Sequence, residues 1–253
     1  MRVKICNYNV FIELIKSIEY SLKELGVFDR FNGVTFVVKA LRSIPIKGKS
    51  ILLQTEQLLN KDAHHLSSGY YKVLDMFYKN SKYKRGTTNV VYCPVGYSPV
   101  WEYNLKPEKK DIDVLFYGGL SKRRKKFLNS ISKKFKVYYT SSAFGLKRAK
   151  LINKSKVVLY LHPDKKRYHP PLHTLPAQAN KAFNLVENSF EYGLFRPGIN
   201  FHTFEDLDEC MYMLEKWCSD NEMREDFAIN AYIDLIKNCK YTDVISTIIG
   251  DIL

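Results

Sequence analysis

Short runs of β-branched and aromatic residues alternate along this sequence with segments of helical period, and the pattern is sharpest at Asp113-Val-Leu-Phe-Tyr-Gly-Gly119. There an apolar run of strand length breaks at paired glycines and passes into residues 122–135, where Phe127, Leu128, Ile131 and Phe135 share one helical face. The sequence predicts strand, glycine turn, helix. A glycine turn lets backbone approach an anion closely, and the N–H groups opening the next helix point at the same place. Residues 122–126 are five consecutive cations. The helix macrodipole opposes cations at this end. Either an anion binds there or the run is a solvated basic face.

The same alternation extends over most of the chain. Strand-like runs at 3–6, 34–38, 51–54 and 90–93 are interleaved with helical patterns at 11–25 and 70–78. Pro94, Gly96, Pro99 and Pro107 then punctuate a linker. Beyond it the reading is strands at 113–117, 136–140, 156–161, 184–187 and 199–202, with helices at 122–135, 146–152 and 175–182. Strands alternating with helices predict parallel sheets with helices on their faces. From residue 206 onward the pattern is that of amphipathic helices, a helical C-terminal tail. The expected organisation is an α/β chain of two domains, 1–105 and 106–253. A cleft should lie between the carboxyl ends of the two sheets, where open α/β folds bind ligands.

Composition narrows the class. A 45% hydrophobic content over 253 residues excludes a disordered chain. No stretch approaches the roughly 18 apolar residues of a membrane span. The opening Met1-Arg-Val-Lys-Ile-Cys6 lacks the features of a signal peptide, and five cysteines without a Cys-x-x-Cys pair suit a reduced, cytoplasmic protein. Net charge is +14, and its placement is uneven. Residues 106–167 carry 19 Lys and Arg against 4 Asp and Glu, a net +15, whereas residues 168–253 carry 6 against 14, a net −8. Such a basic middle suits nucleic acid, an anionic membrane surface or a phosphate-bearing ligand; charge does not choose among them. No Gly-x-Ser-x-Gly elbow, Walker loop or full Gly-x-Gly-x-x-Gly fingerprint is present, which weighs against hydrolase, NTPase and dehydrogenase readings.

The order Ile51-Leu-Leu-Gln-Thr-Glu-Gln57, Pro94-Val-Gly-Tyr97, Asp113-Val-Leu-Phe-Tyr-Gly-Gly119, Ser155-Lys-Val-Val-Leu-Tyr-Leu-His162 and Asn184-Leu-Val-Glu-Asn188 resembles the nucleotide-sugar glycosyltransferases of the GT-B fold, small bacterial and viral members in particular. The resemblance implies a Rossmann-like N-terminal acceptor domain, a Rossmann-like C-terminal donor domain and a sugar nucleotide, a UDP-sugar, between them. The two glutamates eight positions apart that retaining members often carry are absent, since Ala179 and Phe195 flank Glu187 at that spacing.

Glycosyl transfer needs stabilisation of a departing diphosphate and, for inversion, a base that takes the acceptor's proton. Gly118, Gly119, Ser121, Lys122 and Arg123 are the candidates for the diphosphate, and Lys147 and Arg148 form a second basic set on the next helix. Surface charge is the alternative account of those cations. Glu187 should end a strand facing the cleft; in the resembled family such a glutamate binds the ribose hydroxyls. His162, at another strand end, is a sugar or phosphate contact. Glu56 directly follows a buried run, where polar groups are costly unless matched. It is the candidate base, with His64 and His65 nearby because imidazole titrates near neutrality. Pro170 and Pro171 separate His169 from His173 and deny them one helical face, so no metal site is expected. No resident cofactor is expected either, the nucleotide sugar being a cosubstrate. The charge profile suits a virus-encoded enzyme, working in the host cytoplasm, that glycosylates hydroxymethylated bases in duplex DNA. A cell-surface glycan as acceptor, or a noncatalytic nucleic-acid-binding module on a degenerate transferase fold, remain open at this point.

Overall fold

The structure, a computed structural model, describes residues 2–5, 8–38, 48–55, 70–78, 89–164 and 168–252. It divides into two compact units, Met1–Val100 with Lys240–Leu253, and Trp101–Cys239.

The first unit contains β1 (Arg2–Ile5), α1 (Tyr8–Glu24), β2 (Thr35–Val38), β3 (Ser50–Gln54), β4 (Lys72–Asp75) and β5 (Asn89–Tyr92). All neighbouring strands are parallel, in the order β1-β2-β3-β4-β5. Every residue of β2 and β3 is buried, as expected of strands covered on both faces. Phe11, Leu14, Ile15, Ile18 and Leu22 are the buried stripe of α1, spaced three and four apart.

The expected helix at 70–78 is instead strand β4. Tyr70, Val73, Leu74 and Phe77 happen to fit the i, i+3, i+4, i+7 template. A strand sandwiched between β3 and β5 also needs apolar residues on both faces, and such a run mimics helical period over so short a span.

The second unit contains β6 (Ile112–Tyr117), α2 (Lys122–Ile131), β7 (Val137–Thr140), α3 (Gly145–Asn153), β8 (Ser155–Tyr160), α4 (Pro171–Ala179), β9 (Phe183–Glu187), β10 (His202–Phe204), α5 (Leu207–Ser219) and α6 (Asn221–Asn238). Its sheet is parallel, in the order β10-β9-β8-β6-β7. Alternation along β6 divides the core. Val114 and Phe116 pack with Leu128 and Ile131 of α2 and Trp217 of α5. Leu115 and Tyr117 pack on the opposite face with Ile152 of α3 and Ala177 of α4.

Several boundaries move, and the helix expected at 122–135 ends at Ile131. The strand expected at 199–202 begins only at His202, because Gly198, at φ +79°, donates its N–H to Phe201 O and folds Ile199 and Asn200 into a turn. The helix expected at 175–182 begins at Pro171, whose fixed φ suits a first helical position, and is over before Lys181, which has φ +54°.

The tail is helical, but it does not stay in the second unit as the 106–253 boundary implied. The last helix, α7 (Tyr241–Ile252), belongs to the first unit, where it packs on α1. Tyr241, Ile245, Ile248 and Ile252 form its buried stripe, Tyr241 N–H donates to Tyr97 O at 2.7 Å, and Thr242 Oγ1 meets Ser21 Oγ at 3.3 Å.

Candidate functional site

Strand order reverses in the second sheet. From β6 the chain goes to β7 on one side and then returns past β6 to β8 on the other. The loops after β6 and β8 therefore diverge at the carboxyl edge, and such a switch point leaves a crevice there. The first sheet has no reversal among its described strands.

The β6 strand runs directly into Gly118, whose N–H still pairs with Thr140 O at 2.9 Å. Its φ of +139° and a virtual Cβ only 3.1 Å from His173 Cε1 explain the glycine. Ser121 then caps α2, its hydroxyl accepting from Arg124 N–H at 3.2 Å. The helix consequently opens at Lys122. The N–H groups of Lys122 and Arg123 face out of its end, where no preceding turn can receive them.

The five cations divide in role. Lys122, Lys125 and Lys126 are exposed. Arg124 is buried, on the same face as Leu128 and Ile131, and ties the turn to β8 by donating from Nε to Leu161 O at 2.8 Å and from Nη1 to Gly119 O at 2.7 Å. Burial lowers its pKa. Arg123 reaches across to Glu187, the last residue of β9, in a two-pronged pair: Nη1 to Oε2 at 2.9 Å and Nη2 to Oε1. The same Nη1 donates to His162 O at 2.8 Å.

Glu187 is 1% exposed, and its Oε2 also accepts His162 N–H at 2.8 Å. Its carboxylate clamps one cation and the end of β8. The His162 ring, fully buried, places Nε2 3.1 Å from Asn188 O and 3.2 Å from Ser189 Oγ. Nε2 therefore carries the proton toward Asn188 O, and Nδ1 has no partner among the described residues. Burial lowers the pKa of this imidazole, with Glu187 opposing.

Beneath the turn lies a second layer. Tyr117 Oη donates to His173 O at 2.5 Å, and the two rings stack at 6.0 Å. Arg148, also buried, stands 5.5 Å over the Tyr117 ring. Burial, then the charges of Arg124 and Arg148, push the His173 pKa down to about 3 and keep it neutral. Lys147 beside it is exposed.

Gly118, Gly119, Ser121, Arg123, His162 and Glu187 thus converge on one edge of one sheet, with Lys122 at the same helix start and Lys147 and Arg148 on the following helix. Glu56, His64 and His65 lie outside the described residues. Arg124, His173 and Ser189 were not anticipated. Arg124 was within reach of the sequence, since 124, 128 and 131 continue the apolar stripe. His173 and Ser189 carried no such signal. Among the described residues no three His, Cys, Asp or Glu side chains gather as a metal site, and no helix is long and apolar enough to cross a membrane.

Solved structures share this architecture. S. aureus TarM, in complex with UDP and α-GlcNAc-glycerol, matches with a TM-score of 0.60 at 8% identity over 86% of this chain and 55% of TarM. HepE from Anabaena, in complex with UDP and glucose, matches with a TM-score of 0.62 at 8% identity over 97% of this chain and 83% of HepE. The T4 phage β-glucosyltransferase matches with a TM-score of 0.57 at 14% identity over 98% of this chain and 99% of that enzyme. The chain spans about half the length of TarM. No family model matches the sequence, and no curated protein is detectably similar to it in sequence. The fold is that of the GT-B glycosyltransferases.

Proposed function

We propose that the protein is a glycosyltransferase that binds a nucleotide sugar, a UDP-sugar, at the carboxyl edge of its second sheet and transfers the sugar to a hydroxyl on a modified base, such as hydroxymethylcytosine, in duplex DNA. The observation that carries this is Arg123, held by Glu187 and His162 O at the opening of α2 and beside the Gly118 turn. Negative charge grows on the diphosphate as its bond to the anomeric carbon breaks. In this reading Lys122, the first N–H groups of α2 and Arg123, whose Nη atoms also hold Glu187 and His162 O, are the donors that meet that charge, and preorganised donors stabilise developing charge without reorganisation. Lys147 adds an exposed cation. Arg148 supports the turn through Tyr117.

The acceptor oxygen bonds to the anomeric carbon, and its proton passes to a general base. Sequence alone assigns that base to Glu56, with His64 or His65 as the substitute. HepE and TarM in complex with UDP support the donor class. The +15 charge of residues 106–167 supports a polyanionic acceptor. A glycan acceptor is the second reading, favoured by the likeness to TarM in complex with α-GlcNAc-glycerol.

Calorimetry against a panel of nucleotide sugars, followed by mass spectrometry of hydroxymethylated duplex and of glycans, tests both halves. A donor-dependent mass gain on DNA is the expected result. Gain on the glycan alone moves the acceptor to the second reading, and failure to bind any nucleotide sugar removes the enzyme reading. Replacing Lys122 and Arg123 together by Ala should weaken donor binding at least about tenfold, the loss of roughly one charged hydrogen bond.

A further inference from the structure

We infer that the outer edge of the second sheet, strand β7 with α2 and α3 on its two sides, is the surface on which nucleic acid docks; this rests on DNA being the acceptor. β7 ends the strand order, so its outer side pairs with no described strand. Its register sets Tyr138 opposite Leu115, on the α3 face of the sheet, and Tyr139 opposite Phe116, on the α2 face. The two rings are 43% and 56% exposed, far more than packing tyrosines need be.

Exposed lysines lie on the flanking helices and at the foot of the strand: Lys125 and Lys126 on α2, Lys133 in the turn leading to β7, and Lys150 on α3. Among the described residues no carboxylate closes on any of these four. The neighbouring Lys134 and Lys136, by contrast, are paired with Glu215 and Asp111. A lysine or two guards many sheet edges against self-pairing, but that role does not call for exposed aromatics on both faces. The ten residues of α2 span about 15 Å. The cations therefore run from the foot of β7 to the carboxyl edge, where the Gly118 turn lies.

Phosphates neutralised by lysine, and bases or sugars laid on tyrosine rings, are the combination that holds a polynucleotide. An anionic membrane would also attract the lysines, but it takes up a helix by its apolar side. The apolar side of α2, Leu128 and Ile131, is buried in the core.

The test is anisotropy of labelled duplex and single-stranded DNA on the full chain between about 50 and 200 mM salt, with nucleotide-sugar affinity measured in parallel. Lys125→Glu, Lys126→Glu and Lys133→Glu combined should weaken DNA binding more than about tenfold and flatten the log–log salt slope by roughly 3. Tyr138→Ala with Tyr139→Ala should weaken binding and leave the slope in place. Both variants should keep wild-type melting temperature and donor affinity. Wild-type affinity and slope in the triple variant would overturn the docking face, as would a wild type that binds phosphatidylserine vesicles and no DNA. Donor binding that persists in either case leaves the transferase reading standing. Its absence from the wild type removes that reading whatever the edge does.

Discussion

Glu187 shows how one buried carboxylate organises a basic edge. Its oxygens serve Arg123 and the His162 N–H at once, so truncation strands a donor on each side. Glu187→Ala should cost about 2–3 kcal/mol of stability, the range for buried groups left unpaired, moderated because Arg123 can rehydrate. It should also weaken nucleotide-sugar binding about tenfold by releasing Arg123. Urea titration and calorimetry on the same preparation check both.

Two other residues set the response to acid. The pKa values of His169 and His173 are pushed down to about 3, in both cases mainly by burial; Arg124 and Arg148 add to the effect at His173. The unfolded chain binds protons near 6.5 that the folded chain refuses. Stability is therefore complete above about pH 6.5 and declines as the pH falls toward 3, by up to about 1.4 kcal/mol per pH unit for each imidazole. Urea midpoints at pH 7, 6 and 5 should fall in that order. His169→Phe, which keeps a ring against Phe201, should make the decline shallower. An acid-insensitive wild type would contradict the assignment of these rings as neutral.

The strand, glycine turn and helix of residues 112–131 are the element on which the site is built. Gly118→Ala places a side chain at φ +139° and within 3.1 Å of His173, which should cost about 1–3 kcal/mol and displace the turn. Ser121→Ala removes only the cap and should cost about 1 kcal/mol. Melting curves should therefore order wild type above Ser121→Ala above Gly118→Ala, with donor binding falling furthest in the glycine variant. This element was legible because both periods and the glycine break lie within twenty residues of sequence. β4 was not, since a central strand and a short helix present the same apolar spacing when both faces are buried. The assignment of Glu56, His64 and His65 was a reading of residue type after a buried run, and the role of Glu56 is a matter for Glu56→Gln. Transfer should be lost with donor binding retained.

Across the whole molecule, α7 is the element that local pattern misassigns. Its Tyr241, Ile245, Ile248 and Ile252 stripe predicts that it buries one face, and only the fold says that the face belongs to α1. Ile245, fully buried, should cost about 2–5 kcal/mol when changed to Ala. Hydrogen exchange should locate the loss in α1 and α7, while β6 and α2 keep their protection; uniform loss would mean that the two units unfold as one. What the amino-acid order determined by itself was everything carried by near neighbours: parallel α/β units, the Gly118 turn, the helix that follows it and the basic middle of the chain. Tertiary structure alone decided that Glu187 holds Arg123 and the His162 backbone, and where the last helix returns. Those outcomes depend on contacts between residues tens to hundreds of positions apart, and periodicity, which reports only which side of an element is apolar, holds no record of the partner that covers it.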